Sequence, residues 1–326
     1  MFLGIDTSNY RTSVCLMDAD GSAWFDRRVL FPVPQGGLGA RQSEAVFFHV
    51  RTLGALFEEL RMTVPRADIR AIAVSTRPRP AKGSYMPVFE VGRAFARSLG
   101  SVLGVPVYET THQEGHIAAC EKFAERVPFW VFHLSGGTSE LLDVAPRPGG
   151  YAVAVCGGTR DVTVGQLIDR IGVALGCPFP AGPCVEALAR ASVDGRESGP
   201  QKDPGERTAV RAPVRAEGPY VHLSGTESAL LRAIDDGADP TEVARAAERA
   251  VAKAIEKVVR AAASAGGVRP LYLVGGVAAN AYIRDRLEKR LGPLLPLRFA
   301  APEEAGDNAC GVARIARERW RLKAMA

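Results

Sequence analysis

The sequence predicts an α/β chain built as two similar lobes, and three features say so. Apolar, strand-like runs alternate with amphipathic helical stretches from end to end. The pattern restarts near residue 128, where "PFWVFHLSGGTSELLDVAP" has the same strand, small-residue turn and returning strand as "MFLGIDTSNYRTSVCLMDAD". Three turns of small residues each follow an apolar strand directly: "DTSN" at 6–9, "SGGT" at 135–138 and "GGVAAN" at 275–280.

The chain opens with the strand "FLGIDT" and returns through "RTSVCLMDAD", because Asp, Ser and Asn form the turn between two β-prone runs. The periodicity of "RQSEAVFFHVRTLGALFEELR" predicts a helix, followed by the buried strand "IRAIAVS", the helix "VFEVGRAFARSLGSVLG" and the strand "VPVYET". That strand delivers the chain to "THQEGHIAAC". After the restart come the helices "VGQLIDRIGVALG" and "PCVEALARAS". The stretch "VDGRESGPQKDPGERTAVRAPVRAEGPY" is rich in Gly, Pro and charge and reads as a surface excursion or mobile loop. A long Ala-rich helix follows from about Pro240 to Ala265, then the strand "RPLYLVGG" and the helix "AANAYIRDRLEKRLG". "EEAGDNACGVARIARERW" is a loop feeding a terminal helix, with Asp307 or Asn308 as its N-cap. The lobes are expected over residues 1–127, joined by the terminal helix 310–326, and over 128–309.

A length of 326 residues suits two domains of about 150 each. Apolar residues at 47% and charged ones at 24% describe a soluble globular chain, with no run near the roughly 18 apolar residues of a membrane helix. Asp6 interrupts the first apolar run before a signal sequence could form, so no membrane partner and a cytoplasmic location are expected. The six cysteines include no C-x-x-C pair and read as reduced thiols. A net charge of +5 permits an acidic partner such as a nucleotide or RNA.

His112 and His116 share a helix face and could present two imidazoles to one ion, or simply line the helix with no ion at all. In the His-Glu-x-x-His pattern of zinc proteases the base follows the first His, but Gln113 stands there and the acid is Glu114. Cys120, one helical step further, is either a soft third ligand or a buried thiol. The three small-residue turns let backbone N–H groups approach phosphate oxygens, yet neither a P-loop nor a G-x-G-x-x-G fingerprint is present. The arrangement is similar to the two-lobed fold of actin, sugar kinases and heat-shock chaperone ATPases, with duplicated ribonuclease-H-like lobes. There two hairpin turns clamp phosphates and a later glycine turn holds the adenosine.

"GIDTS", "HQEGH", "LSGGTSEL", "LIDRIGVALGCPFPAGPCVEALA", "LVGGVAAN" and "GDNACGVARIA" together resemble the threonylcarbamoyl-transferase (TsaD-like) family, formerly the glycoprotease or O-sialoglycoprotein endopeptidase family. The resemblance covers nearly the whole chain. It implies a transferase that, with partner proteins, moves a threonylcarbamoyl group to adenosine in tRNAs reading ANN codons. It implies ATP or threonylcarbamoyl-adenylate as bound nucleotide, with magnesium allowed beside it, and one divalent metal, iron or zinc, between the lobes. The implied ligands are His112, His116 and Asp307. Ser135, Gly136, Gly137 and Thr138 would form the phosphate turn. Asp169 and Glu186 would meet the ribose, Gly182 would let backbone approach the nucleoside, and Gly275, Gly276 and Asn280 would surround the adenine. Asp6, the acid nearest the first turn, would orient a metal-bound water or brace the turn.

The departures from that family concern the acceptor. Tyr10 and Arg11 stand where it carries two acids, and neither serves as a base at neutral pH. Glu227 stands at a family lysine, "RPRPAKGSY" replaces a glycine-rich substrate loop, and the acid that the family carries near Gln166 is absent. The expectation is a transferase of this type. The alternatives are a diverged paralogue acting on another acceptor, a non-catalytic nucleotide-binding scaffold and, from the fold alone, a small-molecule kinase. A metalloprotease lacks its base.

Overall fold

The computed structural model describes all residues except 9, 34–40, 65–66, 123, 126, 195–209, 302–305, 307–308 and 326. Two sheets organise them. The first contains β1 (Phe2–Ser8), β2 (Arg11–Met17), β3 (Ala23–Leu30), β4 (Ala71–Ser75) and β5 (Val107–Thr110), in the order β3-β2-β1-β4-β5. The second contains β6 (Phe129–Leu134), β7 (Ser139–Arg147), β8 (Gly150–Thr159), β9 (Arg215–Glu217), β10 (Tyr220–His222), β11 (Leu271–Val274) and β12 (Leu297–Phe299), in the order β12-β11-β6-β7-β8-β10-β9. Within it, β8-β7-β6-β11-β12 repeats the first sheet in order and sense. The hairpin pairs are antiparallel in both, and β6∥β11∥β12 matches β1∥β4∥β5. The duplication expected from the restart is present in the topology, and the fold is the two-lobed one of the actin, sugar-kinase and chaperone class.

The helices are α1 (Gln42–Thr63), α2 (Val88–Leu103), α3 (His112–Glu121), α4 (Val164–Ala174), α5 (Gly182–Asp194), α6 (Ser224–Asp235), α7 (Pro240–Gly266), α8 (Ala281–Leu291) and α9 (Cys310–Met325). A short 3-10 turn spans Gly276–Ala279. In the first lobe α1 and α2 bury Leu53, Leu56, Leu60, Val91 and Ala96 against Leu3, Ile5, Ile72 and Val74. In the second, the alanine-rich face of α7 lies against α4, α5 and α8.

Several elements depart from the sequence expectation. Asp6, Thr7 and Ser8 extend β1 rather than forming a turn, and Ser8 already pairs with Arg11. β3 and α6 were not anticipated: β3 is an edge strand whose Asp26, Arg27 and Arg28 hide the apolar alternation, and α6 buries only Thr226 and Leu230. Part of the expected loop excursion is docked: Val210 and Val214 are buried, and Lys257 Nζ donates to the Val214 carbonyl at 2.7 Å. The remainder, 195–209, and the expected N-caps Asp307 and Asn308 lie outside the described residues. The expectation of six reduced thiols is corrected, because Cys177 and Cys184 are disulfide-bonded. Their spacing escapes a C-x-x-C test, but the turn between α4 and α5 brings their Cα atoms to 5.8 Å, within disulfide reach.

Helices α3 and α9 lie between the sheets. Val312 and Ala316 of α9 pack on Phe2, Ala71 and Ala73, while Ile117 and Ala118 of α3 pack on Phe129, Val131, Tyr272 and Val274. The two helices meet backbone to backbone, since a Cβ on Gly311 would overlap the Gly115 carbonyl and stand 2.7 Å from Ala119 N. Gly311→Ala must therefore push α9 from α3. The expected cost is about 1–3 kcal/mol, read as a lower denaturant midpoint with unchanged slope. An unchanged midpoint would show that the crossing is looser than this.

Candidate functional site

The site is built around the start of α3. A helix opens with unsatisfied N–H groups, and here each early one has a partner. His112 N and Gln113 N donate to the carbonyls of Arg77 and Pro78 at 3.0 Å, and Glu114 N donates to Thr111 Oγ1 at 3.1 Å. Glu114 Oε2 in turn accepts from Thr111 N at 3.1 Å, Thr111 Oγ1 at 2.9 Å and Thr110 Oγ1 at 3.0 Å, completing a capping box. That oxygen therefore serves the helix start.

With α3 so fixed, the Nε2 atoms of His112 and His116 stand 3.1 Å apart. A third imidazole joins them. His133 lies near the end of β6, and its ring centroid is 4.6 Å from that of His116 and 6.1 Å from that of His112. One ring nitrogen from each of the three falls within 4.8 Å of the others, and this is the group that could hold an ion among the described residues. Cys120 is not part of it, and Asp307 lies outside the described residues. The sequence reading missed His133, which sits in the run "FWVFHL" like an ordinary core residue. The signal available was the pleat: residues 129, 131 and 133 share one face of β6, and α3 covers that face.

Asp6 is wholly buried and accepts a hydrogen bond from His112 Nδ1 at 3.2 Å. Burial opposes its charge, but the attraction and hydrogen bond of His112 outweigh that and hold the carboxyl below its ordinary value.

Two of the small-residue turns meet at the end of β6, the strand that carries His133. Ser135 N donates to the Thr138 carbonyl at 2.8 Å and Thr138 N to Ser135 Oγ at 3.0 Å, closing the β6–β7 hairpin. Thr163, which caps α4, donates its hydroxyl to the Gly136 carbonyl at 2.8 Å. Gln166 completes that cap by accepting from Thr163 N at 3.3 Å. Gly275 sits at the end of β11 with φ 96° and its α-carbon so close to the Leu134 carbonyl that no side chain fits. The turns 135–138 and 275–276 are thereby brought side by side.

Asp169 lies beneath the first of these and accepts from Ala181 N at 2.8 Å; burial holds its carboxyl above the usual range. Gly182 opens α5, with open space where a Cβ would be. Glu186 Oε1 accepts from Ala281 N at 3.0 Å, joining α5 to α8. The side chain of Asn280 is engaged within the protein: Oδ1 accepts from Ile283 N at 2.9 Å and Nδ2 donates to Glu248 at 2.6 Å. Glu227 is paired with Arg170 at 3.1 Å, so its reversed charge is balanced by the neighbour of Asp169. The loop carrying "RPRPAKGSY" reaches the second lobe through an ion pair of Arg79 with Glu140. Tyr10 also crosses between lobes, its ring edge-on to Phe179 at 5.5 Å.

A family model described as TsaD, tRNA N6-adenosine threonylcarbamoyltransferase, matches residues 43–312. The chain belongs to the TsaD family. A tRNA N6-adenosine threonylcarbamoyltransferase of Prochlorococcus marinus is 30% identical over 284 residues, covering 82% of this chain and 76% of that protein. A probable bifunctional tRNA threonylcarbamoyladenosine biosynthesis protein of Methanocaldococcus jannaschii is 25% identical over 312 residues, which are 95% of this chain but 54% of that longer relative. Among solved structures, full-length HypF in its phosphate- and nucleotide-bound form aligns with a TM-score of 0.57 at 12% identity, over 98% of this chain and 46% of that one. The activator of 2-hydroxyisocaproyl-CoA dehydratase from Clostridium difficile with bound ADPNP aligns with a TM-score of 0.52 at 12% identity, over 100% and 97%. At such identity these two show the fold alone.

Behind the Gly275–Ala281 wall of this TsaD-family chain, Glu248 is fully buried between Asn280 and Arg245, whose Nη1 donates to it at 2.9 Å. Burial is the dominant effect and pushes its carboxyl up to about 7 from 4.5, although Asn280 and Arg245 pull the other way. Between these values the folded chain keeps a proton that the unfolded chain releases. Stability is therefore highest below the unfolded value and is lost as pH rises through the folded one. The loss is on the order of 2–4 kcal/mol. Glu248→Gln should flatten this slope, so that its stability relative to the parent rises between pH 5 and pH 8 in urea titrations. A parallel pH dependence in both proteins would show that Glu248 does not titrate there.

Proposed function

We propose that this chain binds ATP or threonylcarbamoyl-adenylate and transfers the threonylcarbamoyl group to adenosine in ANN-decoding tRNA, in the cytoplasm and with partner proteins. The observation that carries the reading is the meeting of three imidazoles, two buried and one partly buried, with the glycine turns of the second lobe, in a chain that the family model covers from 43 to 312. We divide the lobes at 127/128, with 310–326 returning to the first. No described helix is long and apolar enough to cross a membrane.

A divalent ion, iron or zinc, fits the donor set. Imidazole suits both metals, and 3.1 Å between two Nε2 atoms is near the spacing of about 3.3 Å for tetrahedral ligands with bonds of 2.0–2.1 Å. His112, His116 and His133 would hold it, joined by Asp307. Such an ion supplies Lewis-acid polarisation of phosphate or carbamoyl oxygens. Asp6 is a positioning residue in this scheme: by accepting from Nδ1 it keeps the proton there and leaves Nε2 of His112 as the donor atom. The turn Ser135, Gly136, Gly137 and Thr138 would receive the phosphates on the N–H groups of Gly136 and Gly137, since those of Ser135 and Thr138 close the hairpin, with magnesium beside them, and Gly275 and Gly276 would face the base. Asp169, Glu186 and Gly182 would line the ribose side. Asn280 holds that wall from behind.

A second reading has its own observation. Tyr10 and Arg11 stand where the resemblance calls for acids, and Tyr10 packs on Phe179. This favours a paralogue that keeps the donor set and serves another acceptor, or a scaffold.

Purified protein of known metal content, given threonylcarbamoyl-adenylate and an unmodified ANN-decoding tRNA, should yield the modified adenosine, and His112→Ala should abolish it. Nucleotide and metal binding without product would support the second reading. In equilibrium dialysis with zinc or iron(II), His133→Ala and His112→Ala should each weaken metal binding by about tenfold or more. Parental affinity in His133→Ala would remove His133 from the donor set.

A further inference from the structure

The disulfide closes the loop 178–183 between the end of α4 and the first turn of α5. Cys177 is buried in the core of the second lobe at 4% exposure, while Cys184 is partly exposed. Two contacts leave the loop itself, and a third leaves α5 two residues beyond Cys184. Ala181 N donates to Asp169 beneath the 135–138 turn, Phe179 meets Tyr10 of the first lobe, and Glu186, one turn into α5, accepts from Ala281 N beside the 275–276 turn. The bonded loop thus braces the Asp169 side of the proposed nucleotide site directly and its Glu186 side through α5.

A disulfide in a tRNA-modifying chain is also chemically out of place. Reducing compartments keep thiols reduced, and the disulfides found there are mostly transient or redox-sensing. Cys15 and Cys156 offer little competition. Cys15 lies buried beside Cys310, with its thiol well above the ordinary range through their mutual hydrogen bond and burial, and burial pushes Cys156 up to about 11.

We infer that Cys177 and Cys184 form a reversible thiol–disulfide site whose state sets how tightly the chain holds its nucleotide, an inference that rests on the nucleotide reading above. The oxidant is of the small disulfide class, such as glutathione disulfide. The Cys184 thiolate, the more exposed, attacks one sulfur of the oxidant; that S–S bond breaks, one thiolate leaves, and a mixed disulfide forms. The Cys177 thiolate then attacks Cys184 Sγ and expels the second small thiolate. Two protein thiols lose two electrons and two protons, and the oxidant gains them as two thiols. Two equivalents of small thiol reverse the sequence. Oxidation preorganises the loop that braces Asp169 and Glu186, whereas reduction returns conformational freedom that nucleotide binding must then remove.

The test equilibrates the full chain in glutathione buffers from reducing to oxidising, reads the thiol state by alkylation and mass, and measures ATP affinity by calorimetry in each. Oxidation should tighten ATP binding by about three- to tenfold. Cys184→Ser and Cys177→Ser should stay at the weaker value in every buffer, while Cys120→Ser follows the parent. Equal affinity in both states, or a bond that millimolar thiol cannot reduce in the folded protein, overturns the inference. If no form binds ATP, the nucleotide reading itself fails. Hydrogen exchange at Ala181 then decides the loop's response separately: stronger protection on oxidation supports a redox-controlled loop, and identical protection overturns it.

Discussion

The close crossing of α3 and α9 at Gly115 and Gly311 is the constraint on which the rest of the site depends. Helices normally pack with axes 8–10 Å apart, and only small residues at the contact permit the short end of that range. The consequence is a two-helix layer thin enough to touch both sheets at once. Its α9 side lies on β1 and β4, and its α3 side lies on β6 and β11. Asp6 on β1 and His133 on β6 belong to different sheets, yet both reach the histidines of α3. A thicker layer would leave one of them out of range.

What the sequence made legible follows the range over which each signal acts. His112 and His116 were readable because both lie on one helix, and a spacing of four places them on one face. The strand–turn–strand repeat was readable because it is local and occurs twice. His133 was not, since a single histidine in an apolar strand has meaning only once the helix covering that face is known. The Cys177–Cys184 bond was hidden for a related reason. Six residues separate the pair, and only the path of the turn from α4 to α5 brings them together. β3 was hidden by chemistry: an edge strand carrying Asp26, Arg27 and Arg28 defeats the apolar alternation by which strands are recognised.

Residues that look anomalous in sequence are balanced locally. Glu227 is matched by Arg170, and Glu140 is matched by Arg79 from the basic loop. Gln166 completes the cap of α4 with Thr163. Asn280 spends its amide on the cap of α8 and on Glu248, so its contribution to the adjacent wall is mechanical. In each case the first demand on a polar group near the site is the satisfaction of a neighbour. A buried or half-buried polar atom without a partner costs more than most ligand contacts return.

This separates the proposed reaction into two physical halves. The imidazole cluster and the glycine turns are held from behind: Asp6 accepts from His112, Thr163 donates to the Gly136 carbonyl, and Asn280 ties the 275–280 wall to Glu248. The acceptor side differs in kind. Where an acid would activate an amine, Tyr10 leans its ring on Phe179, and a phenol and an arginine accept no proton at neutral pH. Carbamoyl transfer does not demand a strong base if the leaving phosphate is already well stabilised, because the proton can depart after the amine has attacked. Such a site would place most of the burden on the phosphate-binding half, the half whose groups this chain holds from behind.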